Sequence, residues 1–299
     1  MNTSQNFTFS NNFKQLSVKY DKSHECVWSY MNQKSMVPCF NRELMSEINT
    51  HQKEIERSGG VIYLNDQACN IKYSVAASLT PSCFNLGGEL ALMYQLIRQG
   101  NKKDLTTYAT KCIDILAHRI FRFNVPTITT ISLLQGKTLG GGLEAALTSD
   151  VVIAERQSLL GFPEILFNLF PGMGAYSLLS RKVERKVADE LMLKGKIYTA
   201  EQAYDMGLVD VLVEDGEGPN AVYKWIEKNS RSITGQLAYK RVKNVVNPIT
   251  YEELIDIVNI WVETAFQLSE HDLSIMQRLI QRQQLPYAAT EHVSIEKTA

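Results

Sequence analysis

The sequence predicts an α/β layer protein that ends in a helical region. Three observations carry this reading. Apolar strand-like runs alternate with helix-spaced segments from about Val61 to Ala154. No Ser/Gly-rich linker divides them, and beyond about Ser230 only helical periodicity remains. With 299 residues and 44% hydrophobic content, the chain is long enough to bury a full-sized core.

The elements follow in order. The first dozen residues are polar and are expected to fray. Leu16 to Met31 carries Val18, Tyr20, Val27, Trp28 and Tyr30 around the polar turn Asp21–Glu25, which reads as a pair of strands. A helix is predicted from Arg42, capped by Asn41, with Leu44, Ile48 and Ile55 on one face and Gly59-Gly60 as its stop. Strands are predicted at Val61–Leu64 and Ile71–Ala77, and a helix at Asp104–Phe121, where Tyr108, Cys112, Ile115 and Leu116 recur at helical spacing. Pro126 opens a strand over Thr127–Leu134, Leu143–Thr148 is helical, and Val151–Ala154 is a short buried strand. Near the end, Thr250-Tyr251-Glu252-Glu253 has capping-box form. It precedes an apolar stripe of Leu254, Ile257, Val258, Trp261, Val262 and Ala265. Ser269 starts a last helix with Leu273, Met276 and Ile280 in register. So broad an apolar face needs cover, from its own core or from a neighbouring subunit.

Composition removes several function classes. The 31 basic residues against 32 acidic ones argue against a protein built to grip nucleic acid. Five cysteines (Cys26, Cys39, Cys69, Cys83 and Cys112) lack C-x-x-C pairing, so neither a disulfide framework nor a metal site is expected, and a reducing compartment fits best. The polar start has no apolar signal segment, and no run approaches the roughly 20 residues that span a bilayer. The expectation is a soluble cytoplasmic protein with no membrane span.

Chemistry concentrates at Leu139-Gly140-Gly141-Gly142-Leu143-Glu144, between an apolar strand and a helix. Three glycines permit a tight turn and close approach to its amides. The helix start leaves unpaired N–H groups backed by the positive end of its dipole, which suits a developing oxyanion. Gly136-Lys137-Thr138 only imitates the end of a Walker loop, because Ile131 occupies the upstream glycine position. Taken alone, Glu144 is equally a first-turn carboxylate that complements the dipole. A second acid changes the balance. Glu164 stands in Gly161-Phe162-Pro163-Glu164-Ile165, followed by Phe170-Pro171-Gly172-Met173-Gly174, an apolar and sharply turning setting that disfavours ionisation.

From Pro126 through Gly136, Gly140-Gly141-Gly142, Glu144, Asp150, Pro163-Glu164 and Pro171-Gly172 to Thr199-Ala200-Glu201-Gln202-Ala203 and Gly207-Leu208-Val209, the chain closely resembles the crotonase (enoyl-CoA hydratase/isomerase) superfamily. The resemblance covers about Ile62 to Val213. It implies a crotonase-type ββα spiral core over 1–230, a helical region at 231–285 that covers the pocket or joins subunits, and a polar tail at 286–299. It also implies that Glu144 and Glu164 are the acid/base pair and that the amides of Gly88 and Gly141 form an oxyanion hole. Gly88 lies in Phe84-Asn85-Leu86-Gly87-Gly88-Glu89-Leu90, where Glu89 replaces the family's usual Asp. No cofactor is implied beyond the phosphopantetheine arm of acyl carrier protein (ACP) or coenzyme A that carries the substrate.

The family shares a device rather than a reaction. Both glutamates, an amino-terminal extension of about 60 residues, and the tail containing Trp261 and Ser274–Leu279 resemble the diffusible-signal-factor synthases. That branch implies dehydration of a 3-hydroxyacyl-ACP to a cis-2-enoyl thioester, then hydrolysis to a free cis-2-unsaturated acid that serves as a quorum-sensing signal. By resemblance, Leu139, Phe170, Met173 and Trp261 line the acyl pocket, although core packing accounts for each as well. Arg181, Lys182, Arg185 and Lys186 form the best basic cluster for docking an acidic ACP, and a solvated helix face explains them equally. No G-x-S-x-G elbow offers a serine thioesterase route. A homotrimer is the family expectation. An ordinary enoyl-CoA hydratase, and a binding partner of the receiver domain of a sensor kinase, are the other readings.

Overall fold

In a computed structural model, residues 12–64 and 67–283 are described. The polar start and the expected tail at 286–299 lie outside them. In chain order the elements are β1 (Leu16–Asp21), β2 (Cys26–Met31), α1 (Arg42–Arg57), β3 (Val61–Leu64), β4 (Gln67–Asn70), β5 (Tyr73–Ser78), β6 (Cys83–Asn85), α2 (Leu90–Arg98), α3 (Lys102–Ile120), β7 (Thr129–Leu134), β8 (Lys137–Leu139) and α4 (Gly141–Leu147). There follow β9 (Val151–Glu155), β10 (Leu159–Gly161), α5 (Ala175–Leu179), α6 (Arg185–Leu193), β11 (Ile197–Thr199), α7 (Ala200–Asp205), β12 (Val211–Val213), α8 (Gly218–Ser230), α9 (Ile233–Val246), α10 (Tyr251–Ala265) and α11 (Glu270–Gln283).

Successive strands feed two sheets in turn. One is six-stranded in the order β1-β2-β5-β7-β9-β12, and the other is four-stranded in the order β11-β10-β8-β6. The pairs β5/β6, β7/β8 and β9/β10 each give one strand to each sheet and are followed by helix, which makes a ββα spiral. Every residue of β7 and β9 is buried. Parallel strands covered on both faces require this, and it explains why they read as continuous apolar runs.

Residues 12–60 are no appendage. β1 and β2 form the predicted hairpin, and β2 then pairs in parallel with β5, so the segment completes the larger sheet. The Asn41 side chain accepts the N–H of Leu44, capping α1 as expected. Several elements were not anticipated, among them β4, β10, β11, β12, α2, α5, α6, α8 and α9. The last of these buries no residue, so its apolar positions have no core-facing period to detect. The helices from α8 onward form the expected helical end. Leu254, Val258, Trp261, Val262 and Ala265 of α10 are buried in the main core, so the chain itself covers most of that stripe. Among the described residues, no helix is long and apolar enough to cross a membrane.

Asp150, between α4 and β9, is a structural acid. It pairs with Arg122 at 2.7 Å and with Lys240 of α9 at 2.9 Å, and it accepts the Thr130 N–H at 3.0 Å. Burial works against its charge, but the Arg122 hydrogen bond and the nearby Lys240 prevail and hold it below the ordinary carboxylate range.

Candidate active site

Strands β6, β8 and β10 lie side by side and parallel, with Lys137 opposite Cys83 and Thr138 opposite Leu160. Each ends in a turn that carries a residue singled out from the sequence. Gly88 follows β6, Gly141 follows β8 and Glu164 follows β10. Carboxyl ends of parallel strands are where ligands settle in α/β folds, because the loops there converge and backbone groups become free.

The two glycine turns touch. A side-chain carbon on Gly141 would lie 3.4 Å from the Gly88 nitrogen and 3.2 Å from Gly87 Cα. The peptide planes are fixed from behind. Gly87 O accepts the Phe40 N–H at 2.8 Å, and Gly140 O accepts the N–H groups of Leu143 at 2.8 Å and Glu144 at 3.1 Å. In a trans peptide the C=O and N–H point in opposite directions, so anchoring those carbonyls turns the N–H groups of Gly88 and Gly141 away from them. Among the described residues neither N–H has a protein acceptor, and both glycines line one cavity.

Glu144 sits one turn into α4 and is 1% exposed. Its Oε1 accepts the N–H of Met173 at 2.7 Å and of Ala175 at 2.9 Å. The loop around Gly174, whose φ of 98° suits glycine, supplies both donors. Glu164 opens a short 3-10 turn, Glu164–Phe167. Its Oε2 is buried and has no partner among the described residues. Gly140, at φ 53°, leaves the space that the Glu164 carboxyl fills, since a side chain there would strike Oε1. Burial pushes the Glu164 carboxyl from an ordinary 4.5 up to about 8. Burial first, and then the charge of Glu164, raise Glu144 well above the carboxylate range, although its two amide partners pull the other way.

Glu144, Glu164, Gly88 and Gly141 all line a cavity of about 310 Å³. Of the predicted pocket residues, Leu139, Met173 and Trp261 line it, while Phe170 packs half-buried against the main core instead. Trp261 comes from α10 and lies against Gly172, where a side chain would overlap the indole. Sequence reasoning did not identify Leu86, Met93, Phe167 or Leu169, nor Leu279 and Arg282 of α11, all of which line the cavity. The basic cluster divides. Arg181 is engaged by Glu253 at 2.9 Å and Lys182 by Asp210 at 3.0 Å, whereas Arg185, 3.9 Å from Asp189, and Lys186 are exposed.

Chemically, the cavity offers two unengaged amide donors on adjoining turns and two buried carboxyls that resist ionisation. One carbonyl oxygen can be stabilised as it gains charge while protons move on carbon and oxygen beside it.

A family model described as enoyl-CoA hydratase/isomerase matches residues 61–272. The chain is 31% identical over 170 residues to a probable mitochondrial enoyl-CoA hydratase 2 of Arabidopsis thaliana, covering 57% of this chain and 53% of that protein. It is 37% identical over 115 residues to 2,3-dehydroadipyl-CoA hydratase of Escherichia coli, covering 38% and 44%. The chain thus spans about half the length of these curated relatives. Among solved structures, a putative enoyl-CoA hydratase from Streptomyces avermitilis superposes with a TM-score of 0.69 at 18% identity, covering 95% of each chain. DspI of Pseudomonas aeruginosa superposes with a TM-score of 0.64 at 23% identity, covering 87% of this chain and 98% of that one. At those identities the likeness is one of fold.

Proposed function

The chain belongs to the enoyl-CoA hydratase/isomerase family, and we propose that it removes water from a 3-hydroxyacyl thioester in the cavity between Glu144 and Glu164. The observation that carries this reading is that two buried carboxyls and the unpaired amides of Gly88 and Gly141, on adjoining turns, line one cavity. The thioester oxygen sits on those two amides. One carboxylate takes the proton from C2, giving an enolate whose oxygen carries the charge; the other carboxyl protonates the β-hydroxyl as it leaves. The pair as a whole neither gains nor loses a proton.

The narrower proposal is that of the resembling synthase branch. The product is a cis-2-enoyl thioester, which the same pair then hydrolyses: one carboxylate takes a proton from water as its oxygen adds to the carbonyl, and the carrier thiol leaves with a proton from the other carboxyl. The free cis-2-unsaturated acid leaves as a diffusible signal. An ACP delivers the substrate, and the exposed Lys186, with Arg185 in a loose surface pair with Asp189, would meet it. Assembly of copies, in a trimer, would cover the apolar positions that α9 exposes, among them Val245 and Val246. The curated relatives favour a second reading, reversible hydration of a trans-2-enoyl-CoA with no hydrolysis.

Incubation with 3-hydroxyacyl thioesters on ACP and on coenzyme A, with chromatographic separation of the products, tests both. Free cis-2-enoic acid supports the synthase, and a trans-enoyl thioester in equilibrium with its hydrate supports the hydratase. The absence of either product, on carriers bearing acyl chains from four to sixteen carbons, would remove the dehydration proposal itself.

A further inference from the structure

Resting on that reading of the site, we infer that Tyr108 is the positioning residue for the Gly88 oxyanion donor. Tyr108 lies on α3, remote in sequence from both glycine turns, and is 2% exposed. Its hydroxyl makes two bonds to backbone. It accepts the Glu89 N–H at 2.8 Å and donates to Phe40 O at 2.7 Å. Phe40 in turn donates its N–H to Gly87 O at 2.8 Å.

These bonds close a ring around Gly88. The Gly87–Gly88 peptide contains the donor N–H, and its carbonyl is held by Phe40. The next peptide, Gly88–Glu89, is held through its N–H by Tyr108. Phe40 is gripped on both sides, by Gly87 through its N–H and by Tyr108 through its carbonyl. Both peptide planes flanking Gly88 Cα are therefore fixed, and a planar trans peptide has no other freedom with which to re-aim its N–H. The Asn85 side chain occupies the remaining donor of the turn, accepting the Gly87 N–H at 2.7 Å. Gly88 is left as the donor with no protein acceptor among the described residues. Removing the Tyr108 oxygen takes a hydrogen-bond partner from the part-buried Glu89 N–H and from the Phe40 C=O, leaves only the direct Phe40–Gly88 bridge to hold the turn, and gives the turn more freedom to rotate. An oxyanion donor acts through preorganisation, so loosened aim lowers the rate of the chemical step without removing the binding surface.

The test compares wild type and Tyr108→Phe by two readouts. The first is kcat against KM with the substrate identified above. The expected result is a fall in kcat of about 10-fold with KM unchanged within about 2-fold. The second is the infrared carbonyl stretch of a bound saturated acyl thioester labelled with ¹³C at the carbonyl, which has no β-hydroxyl to eliminate and is recorded before it hydrolyses. Wild type should move that stretch to lower frequency, and Tyr108→Phe should move it less. Incorporating 3,5-difluorotyrosine at position 108 keeps the ring, weakens the oxygen as an acceptor, and should give a smaller shift in the same direction. It also serves if Tyr108→Phe fails to fold. Equal carbonyl shifts and equal kcat in the variants and wild type would overturn the inference while leaving the function intact. A wild-type protein that neither turns over nor shifts the carbonyl overturns both the function and the role of Tyr108.

Discussion

Glu144 Oε1 lies 2.7 Å from the backbone nitrogen of Met173 and accepts its N–H. The bond ties the acid on α4 to the Pro171–Gly174 turn, and Ala175 repeats it from the next position but one. One oxygen of the carboxyl is thereby fixed, and the side chain has little rotational freedom left. The neighbouring acid is the opposite case, since Glu164 Oε2 has no protein partner among the described residues. A buried polar atom without a partner is costly, and here it belongs to a residue that lines the cavity substrate would enter.

Glu164→Gln removes that titratable oxygen and keeps the volume. Dehydration should fall by about 100-fold or more, in the range general acid/base groups supply, while the circular dichroism spectrum stays unchanged. Steady-state kinetics on matched protein preparations checks it.

The same substitution should stabilise the protein in a pH-dependent way. Glu164 binds its proton more tightly folded, at about 8, than an exposed glutamate does at 4.5. Its contribution to stability is therefore complete below about 4.5 and is lost as pH rises through about 8, because there the unfolded chain has already released a proton that the folded one retains. Glu164→Gln should thus raise Tm more at pH 8 than at pH 5, by about 2–4 °C for each kcal/mol recovered. Thermal melts at the two pH values provide the comparison, and equal gains would contradict the titration.

Activity carries the complementary signature. The mechanism needs one carboxylate and one carboxylic acid, and burial keeps both groups protonated at low pH. On this basis kcat/KM should rise as pH approaches about 8, where Glu164 gives up its proton, and fall again once both carboxyls are ionised. A flat pH–rate profile would exclude the pair as the proton-transfer groups.

Trp261→Ala should widen the cavity beside Gly172. The lost indole costs about 3–5 kcal/mol of stability, and chain-length preference should move toward longer or branched acyl groups. A series of acyl thioesters assayed under saturating conditions reads the shift.

Why some of this was legible before the fold was known, and some was not, follows from how each group works. Glu144, Glu164 and the glycines of both turns are set by chemistry that tolerates few substitutes, so their residue types and spacing carry a signal. The donors that anchor Glu144 are backbone amides of Met173 and Ala175, and a backbone amide leaves no mark on residue type. Leu86, Met93 and Phe167 are indistinguishable in sequence from the core around them. Arg181 read as an available cation because its partner, Glu253, is 72 positions away. The strand β2 likewise found its neighbour β5 only across α1 and the β3–β4 hairpin, which is why the first sixty residues read as an extension.

The proton-transfer pair is tested most directly by single-turnover dehydration of a 3-hydroxyacyl thioester, comparing wild type with Glu144→Gln under conditions where both bind the substrate. Wild type should release water within the turnover, and the variant should hold intact substrate at least about 100-fold longer. Elimination by a folded Glu144→Gln protein at the wild-type rate would contradict the assignment.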